Sequence, residues 1–376
     1  MKIINIVGAR PNFMKMAPII DEFNKYPEKF THLLVHTGQH YDERMSASFF
    51  EALGMPRPDV NLEVGSGSHA EQTARIMVEF EKVCLKEKPD LVIVVGDVNS
   101  TMACTITAKK LGIQVAHVEA GLRSRDMSMP EEINRLCTDV LCDYLFTTDH
   151  FADENLRAEG IPQDKIFFVG NVMIDTLLKH RELAARVGLV EKLGLKHGSF
   201  ATLTLHRPSN VDDRPTLVGI LDALREISRT VPIVFPIHPR TRKMIEQFGL
   251  MDYFASTEKP SGIWLTEPLG YLEFLNLNMH AQLILTDSGG LQEESTVLGI
   301  PCITLRNNTE RPVTSEVGTN FIVGTDRDRI LDVASSIMDG RYKKGSVPEK
   351  WDGNAAERIV EVLMGIVPSD KVPIIH

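Results

Sequence analysis

Short runs rich in Val, Ile and Leu alternate with segments of helical period along almost the whole chain, and the alternation begins afresh near the middle. Such runs suit strands buried on both faces, and strands separated by helices suit parallel sheets covered on each side. Strands are expected at KIINIV, THLLVHT, DLVIVVG, QVAHVE and YLFTT in the first half. In the second they are expected at FATLTLH, PIVFPIH, GIWLTEP, QLILTD and PCITL, followed by NFIVGT and a last helix. A chain of 376 residues is too long for one comfortable core. The expected fold class is therefore α/β, with two doubly wound Rossmann-like domains facing a central cleft. Residues 1–171 and 199–355 are the expected domains, 172–198 a polar helical connector, and 356–376 a helix and tail packing back across the cleft.

The formal net charge is −10. A nucleic-acid binder needs a basic face, so no nucleic-acid partner is expected. No stretch approaches the length of apolar chain that a membrane span needs, and MKIINIVGARP reads as a first strand and turn, not a leader. A cytoplasmic protein without a membrane partner is expected. The five cysteines form no C-x-x-C pair, so neither a disulfide framework nor a bound metal is expected.

In doubly wound sheets ligands bind beyond the carboxyl ends of the strands, so the residues just after each strand carry the functional reading. Asp97 follows VIVVG, Glu119 follows VAHV, and Glu131 and Glu132 follow Pro130 at the first turn of a helix. Carboxylates sharing one cleft repel, which keeps one protonated as an acid beside another ionised as a base. The competing reading makes Asp97 a helix cap and the glutamates partners of a helix dipole. His206 ends FATLTL and His238 ends PIVFPI, each an imidazole at a strand end, where a structural role competes with proton transfer.

Arg10 and Lys15, in GARPNFMKMAP, supply a fixed guanidinium and a mobile ammonium for phosphate oxygens, unless they are solvated helix charges. Neither G-x-G-x-x-G nor G-K-[ST] occurs here, and no cofactor is expected. The stretch DSGGLQEE leaves QLILT through two glycines and then sets Glu293 and Glu294 in a helix. Ser288 with the amides of Gly289 and Gly290 suits a phosphate, and Glu294, one turn on, suits the two hydroxyls of a ribose. Arg311, after PCITLR, is placed to reach the same ligand. One nucleotide diphosphate meets both demands.

Taken together, GARPNFMKMAP, HTGQHYDERM, GDVNSTMA, HVEAGLRS, MPEEINR, GNVMIDTL, TLHRPSNVDD, TDSGGLQEE and TERP, in this order, resemble the non-hydrolysing UDP-N-acetylglucosamine 2-epimerases over almost the whole chain. The resemblance implies the glycosyltransferase B fold, a UDP-sugar substrate and a homodimer. It also implies reversible inversion at C2 by elimination of UDP to a 2-acetamidoglucal and re-addition. It places the chemistry on Asp97, Glu119, Glu131 and His206. Contacts to the diphosphate or sugar fall on Arg10, Lys15 and Arg311, to phosphate on Ser288, Gly289 and Gly290, to ribose on Glu294, and to the base on Phe274 in PLGYLEFL, with Leu269 among the substrate-binding residues. Gln39 and His238 match part of a second-ligand pattern, while HRPSN departs from the H-R-R-E of one branch.

Rival readings are an epimerase for UDP-2,3-diacetamido-glucuronate, with Arg123 or Arg125 as the extra cation, and a hydrolysing relative that releases UDP. A glycosyltransferase of the same fold and a non-catalytic UDP-sugar sensor are readings of another class.

Overall fold

The computed structural model describes residues 1–38, 54, 57–255 and 262–366; within them the side chain of Arg10 is left undescribed. The chain divides into two compact units, Met1–Thr176 with Glu349–His376, and Leu177–Pro348.

The first unit holds a seven-stranded parallel sheet in the order β3-β2-β1-β4-β5-β6-β7. Its strands are β1 Lys2–Val7, β2 Thr31–His36, β3 Val60–Asn61, β4 Leu91–Val95, β5 Gln114–Ala120, β6 Tyr144–Thr147 and β7 Ile166–Phe168. Every residue of β4 is buried, as a central strand covered on both faces should be. The short strands β3 and β7 escape the sequence pattern because two or three residues show no period. Helices α1 Arg10–Phe23, α2 His69–Glu87, α3 Asn99–Lys110, α4 Pro130–Leu141 and α5 His150–Ala158 cover the sheet. Ser68 starts α2 with a capping box: its hydroxyl accepts from the Glu71 amide at 3.2 Å, and the Glu71 carboxylate accepts from the Ser68 amide at 3.1 Å.

The second unit repeats the plan with six parallel strands ordered β10-β9-β8-β11-β12-β13. They are β8 Ala201–Thr204, β9 Ile233–Pro236, β10 Ile263–Thr266, β11 Leu283–Thr286, β12 Cys302–Thr304 and β13 Asn320–Ile322. Both orders reverse direction once, between β1 and β4 and between β8 and β11, and those reversals open the crevices that receive ligands.

The stretch read as a connector is helical, as α6 Val172–Ala185 and α7 Leu189–Lys192. After residue 348 the chain rejoins the first unit. There Trp351, wholly buried, donates its indole N–H to the Thr148 carbonyl at 2.9 Å. The helix Ala355–Met364 packs on α1. Asp175 accepts from the first amides of that helix, Ala355 at 3.2 Å and Ala356 at 2.8 Å.

Candidate active site

In the first unit, Asn12 of α1 joins the ends of β1 and β4. Its side-chain oxygen accepts from the amides of Gly8 (3.2 Å) and Ala9 (2.9 Å), and its amide donates to the Val95 carbonyl (3.0 Å). Asp97 stands just beyond, 27% exposed, with Oδ2 2.6 Å from Nη2 of the buried Arg135. The other end of that guanidinium lies 2.6 Å from Glu132 Oε2. Arg135 thus bridges Asp97 and Glu132, and Asp97 keeps one face to solvent.

Glu131 and Glu132 part company. Glu132 is buried and accepts from the amides of Ser124 (2.9 Å) and Arg125 (2.8 Å), closing the loop before α4. Burial works to raise its pKa, but those amides and Arg135 outweigh it, and the carboxyl lies below its usual range. Glu131 instead lines a pocket of about 320 Å³ together with Asp97, His69, Asn99 and Asn134. Asn134 donates to the Asp97 carbonyl at 2.9 Å and to Asn99 Oδ1 at 3.2 Å, and Asn99 in turn donates to Gln72 Oε1 at 2.8 Å, so these lining groups form one bonded set.

Glu119 is not among the pocket's lining residues. It is buried and ion-paired with Lys15, so the ammonium expected to be mobile is itself buried against a carboxylate. Its backbone has φ of 70°, in the left-handed region, and the β5–β6 register slips between Val118 and Ala120. A bulge and a strained backbone at a strand end are common where a side chain must be re-aimed.

In the second unit, His206 and Asp287 meet across the β8–β11 reversal. His206 Nδ1 lies 2.9 Å from Asp287 Oδ1, and Asp287, wholly buried, also accepts from the amides of His206 (3.0 Å) and Arg207 (2.9 Å). Burial works to raise the Asp287 pKa, but the His206 ring and these amides win, so it stays below the usual carboxyl range. The aspartate thereby makes Nδ1 the donor of this pair and leaves Nε2 of the 42% exposed ring outside it. His238 lies nearby, its ring centroid 6.0 Å from that of His206, and caps the helix Pro239–Gln247 by accepting from the Arg240 amide at 3.2 Å. Burial, then His206, lowers its pKa.

Ser288, Gly289 and Gly290 form the start of the helix Gly289–Leu298, whose amides point out of the strand end. A Cβ on Gly289 would come 2.5 Å from Arg311 Nη1 and 2.6 Å from Glu310 Oε1, so only glycine lets the turn lie this close to the guanidinium. Glu293 Oε1 sits 2.6 Å from Arg311 Nε, and Glu310 pairs with Nη1 of the same group. Of the two helix acids, then, Glu293 holds Arg311. Glu294 turns to the Tyr271 hydroxyl at 3.4 Å, and burial and then Glu293 push its pKa up to about 7. Phe274 and Leu269 are half-buried on one apolar cluster with Val190 and Phe200.

The structure thus brings together Asp97 and Glu131 in one unit, and His206, His238, Ser288, Gly289, Gly290, Glu294 and Arg311 near the strand ends of the other. Gln39 and the side chain of Arg10 lie outside the described residues. Sequence reasoning missed Arg135 and Asp287. Asp287 had a signal, since it follows a strand as Asp97 does; Arg135 had only its position one turn after Glu131 and Glu132. The family model described as UDP-N-acetylglucosamine 2-epimerase matches residues 22–364. A UDP-N-acetylglucosamine 2-epimerase of Methanocaldococcus jannaschii is 46% identical over 96% of this chain and 99% of its own. A UDP-2,3-diacetamido-2,3-dideoxy-D-glucuronate 2-epimerase of Pseudomonas aeruginosa is 42% identical over 96% and 99%. The crystal structure of the M. jannaschii UDP-GlcNAc 2-epimerase in complex with UDP-GlcNAc and UDP superposes with a TM-score of 0.87 at 45% identity, covering 97% of this chain and 99% of that one.

Proposed function

The chain belongs to the UDP-N-acetylglucosamine 2-epimerase family, and from that premise we propose that it interconverts UDP-N-acetylglucosamine and UDP-N-acetylmannosamine without hydrolysing either. The C2 hydrogen is too weakly acidic for simple removal, so a carboxylate takes it as the C1–O bond breaks and UDP leaves with the bonding electrons. A 2-acetamidoglucal remains. UDP then adds back at C1 while an acid delivers a proton to the opposite face of C2. The reaction needs a base, an acid and fixed positive charge for the departing diphosphate. Asp97, Glu119, Glu131 and His206 are the proposed proton-handling groups, and the Ser288–Gly290 turn with Arg311 the proposed diphosphate site. Glu294 is assigned to the ribose, and Phe274 with Leu269 to the base.

The observation that carries this reading is the pocket shared by Asp97 and Glu131, two carboxyl groups in different settings within one polar cavity. Incubation with UDP-N-acetylglucosamine in heavy water, followed by proton NMR, tests it. Deuterium at C2 in a UDP-N-acetylmannosamine product is expected. Free UDP with free sugar would replace it with the hydrolysing reaction, and an unchanged spectrum would remove it.

The diacetamido-glucuronate reading is kept by the P. aeruginosa relative. Its extra sugar carboxylate asks for a cation, and the two proposed for it are otherwise engaged: Arg123 is buried between Asp139 and Glu159, and Arg125 donates to Asn155 at 2.8 Å. The pairing of Arg123 with two carboxylates favours the uncharged sugar.

A homodimer is also proposed. On α4 the inward face is polar (Glu132, Asn134, Arg135, Thr138, Asp139), whereas Ile133, Val140 and Leu141 point outward and are exposed. Val78 and Leu85 are exposed on α2. An outward apolar face of this kind is what a subunit contact uses.

A further inference from the structure

Beneath the ends of β4 and β5 lies a charged set that the chemistry above does not use. His117 of β5, wholly buried, donates from Nε2 to the Gly96 carbonyl oxygen at 2.8 Å, and its Nδ1 lies 2.6 Å from Asp139 Oδ1. Asp139, on α4, also accepts from the Gly121 amide at 3.0 Å and lies 2.7 Å from Arg123 Nη1. Arg123 in turn is bound at two points by Glu159, through Nε at 2.8 Å and Nη2 at 2.6 Å.

Two features separate this set from ordinary core polarity. The first is position: Gly96 immediately precedes Asp97, and Gly121 lies two residues after Glu119. The Gly96 peptide is gripped on both sides, since its amide donates to the Val118 carbonyl at 3.1 Å. The left-handed backbone at Glu119 and the register slip beside it persist only if the surroundings over-determine them. The second is charge. A carbonyl oxygen only accepts, so Nε2 carries hydrogen, and Asp139, which already accepts from the Gly121 amide and faces Arg123, is set to accept from Nδ1 as well. Burial would raise the Asp139 pKa, but His117 and Arg123 outweigh it and keep the carboxyl below its usual range. Arg123, between Asp139 and Glu159, supplies the positive charge that makes a buried carboxylate tolerable.

We propose that His117 and Asp139 are a positioning pair for the C2 chemistry, the ring a buried double donor that fixes the Asp97 and Glu119 ends of their strands relative to each other. The idea rests on the epimerase reading for what is being positioned, but not for the state of the ring. Neither residue touches the sugar; both act through Asp97 and Glu119.

Two measurements test it on the full chain. Long-range proton–nitrogen NMR of histidine-labelled protein, with His117→Gln for assignment, is expected to show both His117 nitrogens protonated at neutral pH; a single-nitrogen tautomer overturns the pair. In His117→Gln and Asp139→Asn, kcat and the rate of C2 deuterium entry are expected to fall about 30-fold or more, with KM and the UDP Kd within about twofold. A purely structural role would lower Tm and leave kcat per folded molecule unchanged, and that result overturns the proposal. Should wild-type protein leave UDP-N-acetylglucosamine unaltered, the epimerase reading fails separately, and the ring's protonation still decides whether the pair exists. If neither variant folds, the wild-type spectrum is decisive on its own, with the resonance assigned by selective labelling.

Discussion

Asp97 and Glu119 differ in exposure and in partner, one half-open beside Arg135 and the other sealed against Lys15. Neutralising either removes a proposed proton carrier; Glu119→Gln also takes from the buried Lys15 its carboxylate partner, whereas Arg135 keeps Glu132 when Asp97 is changed. Asp97→Asn and Glu119→Gln are expected to lower kcat by about a thousandfold, roughly 4 kcal/mol. Titration calorimetry is expected to show UDP still binding, because its proposed contacts lie on other residues; near-normal turnover in both variants would end the assignment. Glu294 gives a pH signature. Its pKa of about 7 means that near neutrality the carboxyl is only partly ionised. Ribose hydroxyls donate best to the ionised form, so UDP binding draws the proton off and affinity rises as pH rises through about 7. Folding stability runs the other way, since a raised folded-state pKa contributes stability that is complete below the unfolded value and lost as pH climbs through about 7. Comparing UDP titrations of wild type and Glu294→Gln between about pH 6 and about pH 8 separates this carboxyl from the ligand's own phosphate. Equal pH dependence in the two proteins would remove Glu294 from the nucleotide site.

At the scale of elements, the Gly289 turn is a fit between a helix start and the Arg311 guanidinium. Gly289→Ala is expected to weaken UDP binding about tenfold, close to 1.4 kcal/mol, and to cost about 1–3 kcal/mol of stability through overpacking. Unchanged affinity by calorimetry would move the phosphate elsewhere. Much of this architecture was legible because apolar runs of four to seven residues, separated by helical periods, leave little besides parallel sheets. β3 and β7 were not, being too short to show a pattern. Candidate groups at strand ends were legible for the same topological reason, which is how Asp97, His206 and the DSGG turn came forward. What was hidden is whatever depends on helix rotation or on distance between elements. Glu131 and Glu132 are neighbours after Pro130, and only the roll of α4 sends one to the pocket and the other to Arg135. His117 and Asp139 are 22 residues apart, with no spacing rule to join them.

For the molecule as a whole, the apolar outer face of α4 predicts association. Val140→Glu with Leu141→Lys is expected to halve the mass measured by light scattering, and an unchanged mass would move the contact to another face. The path of the chain predicts something further. The second unit is one continuous stretch, Leu177–Pro348, whereas the first is closed only by residues that follow it. Expressed alone, residues 177–348 are expected to fold cooperatively and bind UDP. Residues 1–176 alone lack Trp351, whose indole bonds to Thr148, and the helix start held by Asp175, and are expected to melt without a cooperative transition. On a ribosome the half that emerges first would therefore be finished last, waiting as an incomplete shell until the final segment arrives. On the proposed reading, a premature stop near the end would cost the cell the acid-bearing half and spare the half proposed to hold nucleotide, leaving a molecule expected to sequester UDP but not to return it changed.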